Sequence, residues 1–271
     1  MTTRIITGAG LLALLGVALY FGGWVFAVLW TGAVCIAMWE MFRALAAAGH
    51  RPVAWPTWAA LIASIPCFLL MTASAAITIL MAILYCALMV VSLLIMFRDE
   101  PRLDDYLVSV LPIFAVALPG MCLLAMVRVE PIALQRMLLA LAFLVPVAGD
   151  ALAYFVGVTY GHVKLNPVIS PRKTVEGAVG GLVGSMLAAI AVYLAAMTLT
   201  SSLPPFWHFP LLGLVGGIAS QTGDLFASLI KRHCNIKDYG NIFPGHGGMM
   251  DRLDSVLFMS VLVYLYQLFA V

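Results

Sequence analysis

The chain has 271 residues, of which 64% are hydrophobic and only 10% charged, with a mean hydropathy of +1.08. Soluble domains run roughly 45–50% apolar and about 25% charged, and disordered chains combine low hydrophobicity with high net charge, so both classes are excluded. With 14 Lys+Arg against 12 Asp+Glu the net charge is only +2, too little for the basic face a nucleic-acid partner requires.

What remains is an all-α, polytopic integral membrane protein. A helix crossing a hydrocarbon core of roughly 30 Å needs about 20 apolar residues. Charge clusters and Gly/Pro breaks divide the chain into nine predicted spans, at 4–21, 24–47, 54–71, 75–97, 104–127, 132–159, 175–199, 208–233 and 251–271. The first reads as a retained span, because it lacks a clear cleavage site. Gly22-Gly23 separates it from the second, and His50-Arg51-Pro52 ends the second. Arg98-Asp99-Glu100-Pro101-Arg102 follows the fourth, and Leu203-Pro204-Pro205 follows the seventh. Pro112 and Pro119 fall inside the fifth, where a kink is expected. Cys35, Cys67, Cys86 and Cys122 sit in apolar runs and Cys234 stands alone beside Lys231 and Arg232, so neither a disulfide framework nor a zinc site is expected.

Orientation follows from the basic residues. A cytoplasmic N-terminus puts Arg4, Arg43, Arg51, Arg98, Arg102, Lys164, Arg172, Lys173, Lys231, Arg232, Lys237 and Arg252 inside, leaving Arg128 and Arg136 outside. Lys/Arg bias sets orientation, so the expected topology is N-terminus in and C-terminus out. Trp24, Trp30, Trp39, Trp55, Trp58 and Trp207 fall mostly near predicted span ends, as an aromatic belt does. Residues 1–130 read as transmembrane scaffold and 131–271 as a catalytic region, within one continuous membrane domain. In the scaffold, Glu40 and Arg43 at i,i+3 read as a local ion pair near the interface.

The second half carries charge where topology does not ask for it. Asp150 and Asp224 lie within apolar spans, and a carboxylate there is costly unless it meets a cavity, a partner or a metal. Ser220, Asp224, Ser228 and Lys231 share one helix face, a stripe expected to line a water-filled groove. Asp251 and Asp254 open the ninth helix one turn apart. Carboxylate oxygens suit a hard cation such as Mg²⁺, and the sparse His and Cys do not make a zinc site. Asp150 reads either as a further ligand or as a structural partner.

Two loops add anion-binding chemistry. Ser170-Pro171-Arg172-Lys173-Thr174-Val175-Glu176-Gly177 runs into a helix opening with Gly180, Gly181 and Gly184, which suits a phosphate. Lys237-Asp238 and Pro244-Gly245-His246-Gly247-Gly248 form the second, whose glycines let backbone N–H groups approach an anion. Neither is a P-loop. Metal and phosphate sites at one membrane face point to phosphoryl or nucleotidyl transfer onto a lipid.

The run from Ser228 through Lys231-Arg232, Lys237-Asp238, Pro244-Gly-His246-Gly247-Gly248 and Asp251-Arg252-Leu253-Asp254 resembles the signature of bacterial phosphatidate cytidylyltransferases. Ser170-Pro-x-Lys173-Thr174-x-Glu176-Gly177 resembles that family's second motif. The resemblance covers 147–184 and 220–254, and the N-terminal half matches in hydropathy alone. It implies an enzyme of the bacterial inner membrane that makes CDP-diacylglycerol and pyrophosphate from CTP and phosphatidate. It also implies Mg²⁺, a second cation such as K⁺, and a homodimer. Asp224 and Asp251 match the family's metal-binding aspartates, with Asp254 a third ligand or an outer-sphere group. Lys173, Lys231, Arg232, Lys237, Asp238 and His246 are the expected catalytic group. Ser170, Arg172, Thr174, Glu176, Ser228, Gly247, Gly248 and Arg252 are expected to bind substrate. His246 either donates to a phosphate or fixes its loop. The competing reading is a cation-coupled secondary transporter using Asp150 and Asp224, but such proteins often show repeated halves, and no repeat is evident here.

Overall fold

A computed structural model of the chain describes residues 2–70, 73–200 and 203–270. Its helices are α1 (Thr2–Phe21), α2 (Gly23–Ala47), α3 (Trp55–Leu70), α4 (Ala73–Met96), α5 (Leu103–Pro112), α6 (Leu118–Ala125), α7 (Ile132–Tyr160), α8 (Val175–Met197), α9 (His208–His233) and α10 (Met250–Ala270). A π-helical segment, Ile113–Ala117, joins α5 to α6. It falls between Pro112 and Pro119, each of which removes a backbone donor from the helical ladder. All nine predicted segments are helical, with the fifth divided by the π segment; residues 71 and 271, where two segments were expected to end, lie outside the described residues.

Among the described residues, six helical stretches are long and apolar enough to cross a membrane: Gly23–Ala47, Thr78–Met96, Leu103–Arg128, Ile132–Tyr160, Val175–Met197 and Met250–Phe269. Helix α3 has only 16 residues, and α9 carries Ser220, Gln221, Thr222, Asp224, Ser228 and Lys231 along an otherwise apolar segment. The all-α expectation needs one correction. Between α7 and α8 the chain forms an antiparallel hairpin, β1 (Lys164–Asn166) and β2 (Ser170–Thr174), paired Lys164 with Thr174 and Asn166 with Ser170.

The chain divides into two compact units. The first comprises Met1–Arg128 with His233–Asp251, the second Val129–Arg232 with Arg252–Val271. In the first, α2 buries Phe26, Trp30, Val34, Met38 and Met41. Trp30, expected at an interface, is buried instead and donates its indole N–H to the Gly120 carbonyl at 2.8 Å. Gly120 permits this approach: a Cβ there would lie 2.8 Å from both Val34 methyls. Asp105 accepts from the Arg51 amide at 2.8 Å and pairs with Arg98 at 3.1 Å, tying the segments after α2 and α4 to α5.

In the second unit α7 and α8 pack through small residues, as helices in lipid do where no hydrophobic force separates helix from tail. A Cβ on Gly180 would come within 2.6 Å of Val156, and one on Gly184 within 2.7 Å of the Ala148 carbonyl. Helix α9 uses the same device against both α8 and α10. Gly213 abuts Met186 of α8 (2.5 Å to a Cβ), and Gly216 and Gly223 abut Met259 (2.6 Å) and the Asp254 carbonyl (2.5 Å) of α10. The spacing of these glycines sets the depth at which the polar stripe of α9 meets Asp254.

Candidate functional site

The hairpin is built by local side-chain chemistry. Asn166 Oδ1 accepts from the Val168 and Ile169 amides at 3.2 and 3.0 Å, closing the turn. Thr174 has extended backbone and its Oγ1 accepts from Gly177 N at 3.1 Å, so it caps α8. The Glu176 carboxylate accepts from Val163 N at 3.2 and 3.3 Å and holds the hairpin's first strand. Thr174 and Glu176, expected to bind substrate, also shape the loop that carries Lys173. Arg172 is exposed on β2, while Lys173 is half-buried.

Lys173 Nζ forms an ion pair with Asp224 Oδ2 of α9, the two side chains retaining 28% and 24% exposure. Ser228, one turn on, donates to Asp224 Oδ1 at 3.4 Å. Ser220, Ser228 and Lys231 are buried. The stripe expected to line open water is thus mostly enclosed, because glycines on α9 bring its neighbours into contact. Sequence reading passed over Gln221, which donates to the Ala178 carbonyl at 2.9 Å and fixes α9 against α8. Arg232 donates from Nε to the Ile169 carbonyl at 3.3 Å, at the hairpin turn.

Asp254 of α10 is buried and its Oδ1 accepts from the Ser255 amide at 2.7 Å. It lies within the electrostatic reach of Asp224, Lys231 and Asp150. Asp150, from α7, in turn interacts with Asp224, Lys173 and Arg252. Within the second unit, then, three carboxylates face three cations, contributed by α7, β2, α9 and α10.

The glycine loop belongs to the first unit. Phe243 N donates to the Gly247 carbonyl at 3.0 Å and His246 N to the Phe243 carbonyl at 2.8 Å. Gly245 and Gly247 adopt φ of 79° and 82°, in the left-handed region that favours glycine. Asp251 Oδ2 accepts from Tyr239 N at 2.8 Å and Gly248 N at 3.0 Å, so those amides hold the loop closed on itself. The ring of His246 packs beside Gly8 of α1, whose added Cβ would stand 3.6 Å from Nε2. Lys237 and Asp238 are exposed. Burial pushes the thiol pKa of Cys234 up.

Glu40 departs from expectation. It is fully buried in α2, and its Oε2 accepts from Met250 N at 2.8 Å. Arg43 donates its Nη2 to the Tyr239 carbonyl at 2.8 Å and stacks over Trp39, so the expected Glu40–Arg43 ion pair gives way to two separate contacts with the loop. The signal was present as an acid in an apolar span, the default mark of function. The nearby arginine supplied a simpler partner and masked it.

Among the described residues, no three His, Cys, Asp or Glu side chains converge closely enough to hold a metal ion together. The donor chemistry nevertheless suits a hard divalent cation. Asp150, Asp224 and Asp254 offer only oxygen and sense one another's charge, and Asp224 is already neutralised by an ammonium group. Asp251 gives one of its oxygens to two loop amides.

Comparison with known proteins agrees with the motifs. The model of the cytidylyltransferase family matches residues 2–270. The chain belongs to that family. A phosphatidate cytidylyltransferase of Bacillus subtilis is 48% identical over 124 residues, covering 45% of this chain and 44% of the relative. One of Thermotoga maritima is 38% identical over 117 residues, 43% of each chain. One of Synechocystis is 44% identical over 128 residues, 46% of this chain and 41% of the relative. The chain thus spans less than half the length of these curated relatives. Family membership favours a transferase over the transporter reading.

Proposed function

We propose that the protein transfers CMP from CTP to phosphatidate at the cytoplasmic face of a bacterial inner membrane, in a nine-span topology with the N-terminus inside. The observation that carries this reading is the Lys173–Asp224 pair set among Asp150, Asp254, Lys231 and Arg252 in the second unit. Its support is membership of the cytidylyltransferase family and the name carried by its relatives.

An oxygen of the lipid's phosphate monoester attacks the α-phosphorus of CTP. The bond from that phosphorus to the oxygen bridging to the β-phosphorus breaks, and pyrophosphate leaves. A phosphate monoester has a second pKa of about 6, so its attacking oxygen is largely ionised at neutral pH and needs no protein base. The work left to the protein is positioning and charge neutralisation. Lys173, on the rigid hairpin, and Lys231, on α9, supply fixed positive charge to the phosphates. Arg172 and Arg232, exposed at the hairpin and the end of α9, attract the anionic substrates. Asp224 and Asp254 are the residues that would hold Mg²⁺, with Asp150 electrostatically coupled to both. When bound, that ion adds charge neutralisation to the reacting phosphates.

The test uses the full chain purified in detergent with CTP and phosphatidate. CDP-diacylglycerol and pyrophosphate are expected in equal amounts, only with both substrates present. Chelation with EDTA should stop the reaction and Mg²⁺ restore it, and Asp224→Asn should abolish it. Absence of CDP-diacylglycerol with CTP, phosphatidate and Mg²⁺ supplied overturns the reading.

A further inference from the structure

The N-terminal helices carry none of the polar signature motifs, yet α2 grips the glycine loop at both of its ends. At the first, Arg43 donates to the Tyr239 carbonyl at 2.8 Å, and Glu40 Oε1 presses against Gly240. At the second, Glu40 Oε2 accepts from Met250 N at 2.8 Å. Gly248 lies so close that a Cβ there would overlap the Glu40 carboxylate. Met250 is the first residue of α10, whose opening amides have no partner within the helix. A carboxylate at that position satisfies those donors and opposes the positive end of the helix dipole. Glu40 reaches it across 210 residues of sequence, from a site with no solvent exposure.

We propose that Glu40 is a positioning residue for the reaction: it clamps the Tyr239–Met250 segment in the conformation that presents His246, one of the expected catalytic residues. This rests on the cytidylyl-transfer reading above. Two observations separate the contact from ordinary burial. Core packing could be met by an apolar side chain, whereas a buried carboxylate is costly unless it is hydrogen-bonded. The glycines at 240 and 248 are also shaped to it, since any side chain at either position would occupy the carboxylate's volume. With Asp251 accepting from Tyr239 N and Gly248 N, the loop is held by two carboxylates, one from α10 and one from α2.

The experiment compares Glu40→Gln and Glu40→Ala with the wild-type full chain. It reads kcat, the KM for each substrate, and hydrogen exchange at 237–250 against α7 and α8. Gln keeps the volume and one acceptor, so partial rescue relative to Ala is expected. Loss of a buried acceptor should free the loop and lower kcat about tenfold or more in Glu40→Ala. Exchange should rise at Tyr239, Gly248 and Met250 while α7 and α8 keep wild-type protection and the KM for phosphatidate holds. A Glu40→Ala protein within about twofold of wild-type kcat overturns the proposal, as does exchange that rises equally in α7 and α8. If wild-type protein forms no CDP-diacylglycerol, the functional reading fails by itself, and the exchange data still decide whether Glu40 holds the loop.

Discussion

Replacing Gly223 by alanine tests whether the close approach of α9 to α10 sets the site. The new Cβ would stand 2.5 Å from the Asp254 carbonyl oxygen and 2.8 and 2.9 Å from ring atoms of Phe258. Ordinary contact begins near 3.4 Å, so relief of the carbonyl clash alone requires a movement of about 0.9 Å. The Phe258 ring can turn, but a main-chain carbonyl inside a helix cannot, so the helices must separate. Overpacking of this kind costs roughly 1–3 kcal/mol, which a folded chain of this size can survive. The chemical consequence is larger, because Asp224 follows Gly223 directly and Asp254 supplies the obstructing carbonyl. A misplacement of about 1 Å in a catalytic arrangement lowers rate about a hundredfold, and that is the expected fall in kcat. The assay is pyrophosphate release by detergent-purified protein, with size-exclusion behaviour and thermal unfolding recorded alongside. Gly32→Ala is the control: nothing lies within 4 Å of its added Cβ, and alanine favours the helix. A folded Gly223→Ala enzyme with a kcat within about threefold of wild type would refute the argument that this contact positions the carboxylates.

Lys173→Met should lower kcat about a hundredfold by removing a preorganised cation from the phosphates, while Lys173→Arg retains the charge and part of the rate; equal rates in both variants would exclude a charge role. Cys234 should resist alkylation. The thiolate is the reactive form, and a raised pKa lowers its fraction at every pH below that pKa. Iodoacetamide labelling, followed by mass spectrometry, should therefore be slow at neutral pH and rise only above the usual thiol range of about 8.5. Labelling at pH 7.5 as fast in native as in denatured protein contradicts the buried placement.

The parts of the site that sequence reading reached share one property: they violate the rule of their surroundings. Asp224 stands out because a carboxylate in an apolar helix must have a reason, and Lys173 because it sits in a short polar run before a glycine-rich helix. The structure pairs these two. The structural contacts of Thr174 and Glu176 are not legible in the sequence. A cap and a strand tether depend on backbone donors whose positions exist only once the hairpin has formed. The hairpin itself is three residues against five, too short to produce a hydrophobic alternation. The sequence hides the contact of Glu40 because a local partner three residues away is visible in it and a distant one is not.

Segmentation into helices, the membrane class and the intramembrane carboxylates follow from the sequence alone, since each rests on local composition and the cost of polar groups in an apolar setting. Tertiary structure decided which of those groups meet. Gly223 brings α9 against α10 at Asp254, β2 pairs Lys173 and not Arg172 with Asp224, and Glu40 bonds Met250 across 210 residues. Contacts of this kind depend on helix packing distances and strand register, quantities set by the whole fold and carried by no single stretch of the chain.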